Sequence, residues 1–165
     1  MKQGYSTNVR ELTRGALVAA LYVVLTYLAS VLGLASGVIQ FRISEALCIL
    51  PIFIPEAIPG LFIGCLLSNA LTGCMFWDVV FGALATLIGA VGAYHLRKMP
   101  SKFMWLATLP TIIANAIIVP PVLITVYSST DSYFFILLTV TIGEVVCAGA
   151  CGTLLGYSLK KTRLL

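Results

Sequence analysis

In a chain this apolar, the few residues able to bind or react are informative by position. Glu144 stands near the middle of an apolar block from 133 to 159, and Asn115 well inside another from 103 to 127. At about 1.5 Å rise per helical residue, each lies roughly 16–18 Å from one end of its block, near mid-bilayer. An ionisable group there costs about 2.5–3.5 kcal/mol even on insertion scales. No basic residue shares that depth with Glu144, so it is either protonated or visited by something cationic or rich in N–H donors. A second polar set, Gln40, Arg42 and Glu45, precedes Pro51, Pro55 and Pro59 in "VIQFRISEALCILPIFIPEAIPG". Asn69, Asp78 and Thr86 extend it, describing a polar funnel from the outer face to mid-depth. Plainer readings stand beside each: Asn115 as a helix cross-link worth about 1 kcal/mol, Asp78 as a helix N-cap, Arg42 and Glu45 as an i, i+3 surface pair.

The motifs of catalysis are missing. There is no GxxxxGK[ST] phosphate loop, no GxSxG and no HExxH. Five cysteines without a CxxC and a single His95 give no metal-ligand set, so no cofactor is expected in this chain. His95, at the inner boundary, reads as an interfacial anchor without an assigned role. These residues predict a binding or transport module and not an enzyme.

The elements that must position them follow from composition and charge. Of 165 residues, 60% are hydrophobic and 10% charged, against about 25% charged in soluble domains. Apolar blocks at about 15–39, 43–72, 79–96, 103–127 and 133–159 predict an integral membrane protein, one domain over 1–165. The first block is too long for the core of a signal peptide and reads as an uncleaved span. Nine of the ten basic residues fall in three clusters: Lys2, Arg10 and Arg14; Arg97, Lys98 and Lys102; Lys160, Lys161 and Arg163. The positive-inside rule puts all three in the cytoplasm, and the net charge of +4 therefore does not signal nucleic acid. An even number of crossings must then separate the first two clusters. The proline-broken block from 43 to 72 satisfies that parity if it crosses twice. The expectation is an all-α membrane protein, a six-transmembrane-helix bundle with both termini cytoplasmic. Its helices run over about 13–35, 44–54, 57–72, 79–97, 103–127 and 133–159. Pro120 and Pro121 are expected to interrupt the fifth helix beyond Asn115. Small-residue pairs at Ala16/Ala20, Gly60/Gly64 and Gly152/Gly156 predict close helix contacts. The first could equally meet a partner protein.

The segments "IQFRISEALCILP", "AIPGLFIGCLLSNALTG", "WDVVFGALATLIGA" and "PTIIANAIIVPP" resemble the QueT family of queuosine-precursor transporters. The likeness runs from about Thr13 to Tyr157. Met75-Phe76 and Pro120-Pro121 depart from the expected pattern, and the latter bears on pocket shape. The resemblance implies a substrate-binding S component of an energy-coupling factor (ECF) transporter in the bacterial cell membrane. Such a subunit captures queuine or a related 7-deazaguanine from outside. It docks on a transmembrane coupling subunit driven by two ATPase subunits, which use the ATP. Ala16 and Ala20 match the family's docking positions. A guanine-type edge offers two adjacent N–H donors beside a carbonyl, which suits a carboxylate and an amide. This assigns Glu144 and Asn115 to the base, with Glu45 or Asp78 pairing the amine of queuine. Arg42 then holds Glu45 or braces the loop from 37 to 43 as a lid. Gln40, Asn69 and Thr86 line the approach. Two other readings stay open: an ion-coupled secondary transporter working through Glu144, and an S component for another vitamin or nucleobase.

Overall fold

The computed structural model describes residues 3–34, 41–127 and 132–162, with side chains in the first helix from Val9 onward. Gln40 lies outside the described residues. Those described are helical almost throughout, with no strand among them. In order come α1 (Gln3–Val31), a 3-10 segment (Ile43–Ile52), α2 (Ala57–Leu71) and α3 (Phe76–His95). Short 3-10 stretches at Leu96–Lys98 and Ser101–Thr108 lead into α4 (Leu109–Tyr127). Then follow α5 (Tyr133–Glu144), a π-helical segment (Val145–Cys151) and α6 (Gly152–Thr162). Among the described residues, four stretches are long and apolar enough to cross a bilayer: Val9–Val31, Phe76–Lys98, Ser101–Tyr127 and Tyr133–Thr162.

The proline-rich block folds back on itself. Pro51 sits inside the 3-10 segment, Pro55 in the turn and Pro59 in the first turn of α2, where a missing N–H leaves no helical bond unmade. Arg42 at the start of the 3-10 segment reaches Asn69 at the end of α2 (Nη2 to Oδ1, 3.2 Å). At the opposite end, a Cβ added to Gly15 of α1 would lie 3.0 Å from the carbonyl oxygen of Glu56. The two strokes of the hairpin are therefore antiparallel. A 3-10 helix rises about 2.0 Å per residue against about 1.5 Å in an α-helix, so ten residues reach about 20 Å. The segment gains length by stretching. Gly73, at φ +79°, supplies the left-handed turn that reverses the chain from α2 into α3.

Small residues allow the close approaches. A Cβ on Gly60 would meet the Gly15 carbonyl oxygen at 2.4 Å, and one on Gly64 the Tyr22 Cβ at 2.9 Å, so α2 lies directly on α1. Gly89 and Gly92 seat α3 against Thr111 and Pro110 of α4. Gly152 faces Ala46 of the 3-10 segment, and Gly156 faces Met104. These pairs serve internal packing, whereas Ala16 and Ala20 are exposed.

Pro120 and Pro121 do not interrupt α4, which continues through them to Tyr127. Each ring removes an N–H that would have bonded four residues back. Helices in bilayers tolerate such losses where neighbours and hydroxyls re-satisfy the backbone. The carbonyls affected are those of Ala116 and Ile117; Thr125 Oγ1 makes a separate back-bond to the Pro121 carbonyl at 2.8 Å. The block expected as one helix from 133 to 159 instead widens into π geometry immediately after Glu144.

Candidate functional site

The 3-10 geometry decides where the polar residues of its strand go. With three residues per turn, positions i and i+3 eclipse, so Arg42, Glu45 and Cys48 stand in one file pointing the same way. Glu45, expected at the outer mouth, is completely buried below Arg42. Its Oε1 accepts the hydroxyl proton of Tyr22 from α1 and lies 3.1 Å from the Thr86 Oγ1 donor on α3. Its Oε2 accepts from the Cys48 thiol at 3.1 Å. Beside it Thr26 donates to Ser44 at 2.8 Å, tying α1 to the same segment. The i, i+3 surface pair with Arg42 does not form, because Glu45 is surrounded by neutral donors and Arg42 turns to Asn69.

Above that network lies a second polar layer. Asn69 is buried on α2, accepts from Arg42, and lies 3.6 Å from Cys65 Sγ through its amide nitrogen. A Cβ on Gly82 would come within 2.9 Å of Asn69 Nδ2 and 3.6 Å of Arg42 Nη1. The glycine makes the room these two occupy. Asp78 is buried in the first turn of α3 and accepts from the Tyr127 hydroxyl at 3.0 Å. That hydroxyl in turn accepts from the Met75 N–H at 3.0 Å. Asp78 is thus not the N-cap: Met75 holds that position, and no side chain caps the helix there.

Glu144 is treated differently from Glu45. It is 5% exposed, ends α5, and its Oε2 is buried without a hydrogen-bond partner. With Arg42, Val119 and Val140 it lines a small cavity of about 10 Å³, the room of roughly one water molecule. The π-helical segment that begins at Val145 changes the helix register just after this acid, a feature frequent at functional sites. Asn115 is fully buried on α4. Its Nδ2 donates to the Thr111 carbonyl at 3.1 Å, and its Oδ1 is left without a partner. The cavity beside Glu144 is lined by Arg42 and not by Asn115. The arrangement therefore joins Arg42 with Glu144 in one cavity, and Arg42 with Asn69 in one hydrogen bond, while Glu45 and Thr86 form a sealed layer beneath.

Tyr22 was not a candidate from sequence, nor were Cys48 and Tyr127. A tyrosine on the buried face of α1, in step with Val18, Thr26 and Ala29, was the available signal. A buried phenol needs an acceptor.

A family model described as QueT transporter matches residues 12–161. The Queuosine precursor transporter QueT of Lactococcus lactis subsp. cremoris (strain MG1363) is 37% identical over 92 residues. That match covers 54% of this chain and 53% of the relative, so the alignment spans about half the length of the curated protein. No solved structure matches.

Proposed function

Because the chain belongs to the QueT transporter family and is a multi-pass membrane protein, we propose that it captures a queuosine precursor, queuine or a related 7-deazaguanine, from outside the cell. The observation that carries this reading is the buried, unpartnered oxygen of Glu144, a residue that lines one cavity with Arg42. An acid held in that condition suits a ligand edge with two adjacent N–H donors, which a carboxylate meets at two points. Asn115, with its own free acceptor on the neighbouring helix, supplies a further contact to the base. Asp78 is better suited than Glu45 to the ligand amine, since both oxygens of Glu45 are already engaged. A void of one water does not admit a nucleobase, so capture requires the Val119 and Val140 wall to draw back. Direct titration of the purified protein with queuine, its precursors and guanine tests the reading. Micromolar or tighter binding of a deazaguanine, with guanine weaker, is expected; no saturable binding of any of them overturns it.

The finer architecture is part of the same proposal. Six crossings with both termini in the cytoplasm agree with the antiparallel 3-10 and α2 hairpin. In such a bundle the protein serves as the S component of an ECF transporter, with ATP hydrolysed by partner subunits. The exposed Ala16 and Ala20 on α1 support docking on the coupling subunit. Uptake by liposomes containing this protein alone, driven by a proton or sodium gradient, would instead identify an ion-coupled carrier.

A further inference from the structure

Two further spaces lie at the opposite end of the bundle from Arg42. One, about 320 Å³, is bordered by Arg97, Lys160 and Ser101 together with Phe53, Phe103 and Met104. The other, about 710 Å³, is an open groove between α3 and α4, walled by Ile88, Gly92, Pro110, Ile113 and Ile117. Leu96 and Met99 line both, so the two are adjoining compartments of one site. Its polar end is cationic, and no Asp or Glu is among the lining residues of either compartment. Arg97 is stacked over the Tyr94 ring at 3.9 Å, which orients the guanidinium and leaves its edge free. Lys160 donates to Ser101, fixing the ammonium at the pocket rim with N–H groups to spare. The groove belongs to stretches apolar enough to cross the bilayer, and Ile88, Ile113 and Ile117 are all more than half exposed along it.

We propose that this is a binding site for one anionic phospholipid, its headgroup phosphate between Arg97 and Lys160 and an acyl chain along the α3–α4 groove. The charge selects an anionic over a zwitterionic headgroup. The groove selects an amphiphile over a free anion, because a small anion gains nothing from an isoleucine-lined wall. From Ile88 to Leu96 the groove runs about 12 Å along α3, enough to hold much of a fatty acyl chain. Basic pockets of this kind between spanning helices recur as sites for acidic headgroups.

Native mass spectrometry of the purified full chain tests the site. Dioleoyl phosphatidylglycerol is expected to be retained at one molecule per chain in preference to dioleoyl phosphatidylcholine. Arg97→Gln and Lys160→Gln should each weaken that retention about fivefold, and the pair roughly 25-fold. Unchanged melting temperature and precursor binding in these surface variants would show that the fold is intact. Dihexanoyl phosphatidylglycerol and inorganic phosphate should compete poorly. Equal retention of the two long-chain lipids, or no loss in the double variant, would overturn the proposal. Competition by phosphate as strong as by the long-chain lipid would reduce the site to a free-anion pocket and overturn it equally.

Discussion

Of the three carboxylates buried among the described residues, Glu45 and Glu144 have opposite surroundings. Glu45 is met on every side by donors of the protein: the Tyr22 hydroxyl, the Thr86 hydroxyl and the Cys48 thiol. Glu144, only slightly more exposed, has an oxygen that nothing in the protein satisfies. A buried polar group that is fully bonded holds elements together, because losing it orphans its partners. One left incomplete does little for the fold and awaits a group from elsewhere. The contrast assigns Glu45 to the frame and Glu144 to the ligand.

Variants separate the two roles, and the largest effect is expected at Glu45. Glu45→Ala removes the acceptor of the buried Tyr22 hydroxyl and Cys48 thiol, while Thr86 keeps the Gly82 carbonyl at 3.1 Å. It should cost about 3 kcal/mol, read as a drop in the thermal or denaturant midpoint. A stable Glu45→Ala protein with weakened precursor binding would exchange the two assignments. Glu144→Gln keeps shape and removes the charged acceptor pair. Precursor affinity should fall about 10- to 100-fold, matching the roughly 1.5–3 kcal/mol of a hydrogen bond to a charged group, with the melting temperature unmoved. Undiminished affinity in calorimetric titration would remove Glu144 from the site. Tyr22→Phe takes away one donor and leaves Thr86 and Cys48, so a loss of about 1 kcal/mol in stability is expected. Ala16→Trp should leave both acids alone: precursor binding stays at the wild-type level while co-purification with a coupling subunit is lost. Loss of both would mark a folding defect and not a docking face.

Much of this layout was legible in the residues themselves. Glu144 and Asn115 stood out as polar groups in long apolar blocks, and both are buried. The prolines at 51, 55 and 59 marked the folded-back block, because three rings without an N–H within nine residues disfavour one continuous α-helix. The placement of Glu45 was not legible. Its spacing from Arg42 suits a surface pair on an α-helix, and two of its three donors sit 23 and 41 positions away on other helices. The π geometry after Glu144 likewise carries no local mark, since Val145–Cys151 contains no proline and only one glycine. Such features arise from what each helix meets across the bundle. Pro120-Pro121 misled in the other direction: lone-chain propensity favours a break there, and packing keeps α4 whole.

The 3-10 segment has a mechanical consequence. Ten residues in this tight winding are about 5 Å longer than the same ten in an α-helix. The segment is anchored near Gly15 of α1 through Glu56 and carries Arg42 at its other tip. That extra length sets the spacing between Arg42, which lines the cavity with Glu144, and the Glu56 carbonyl packed on Gly15 of α1.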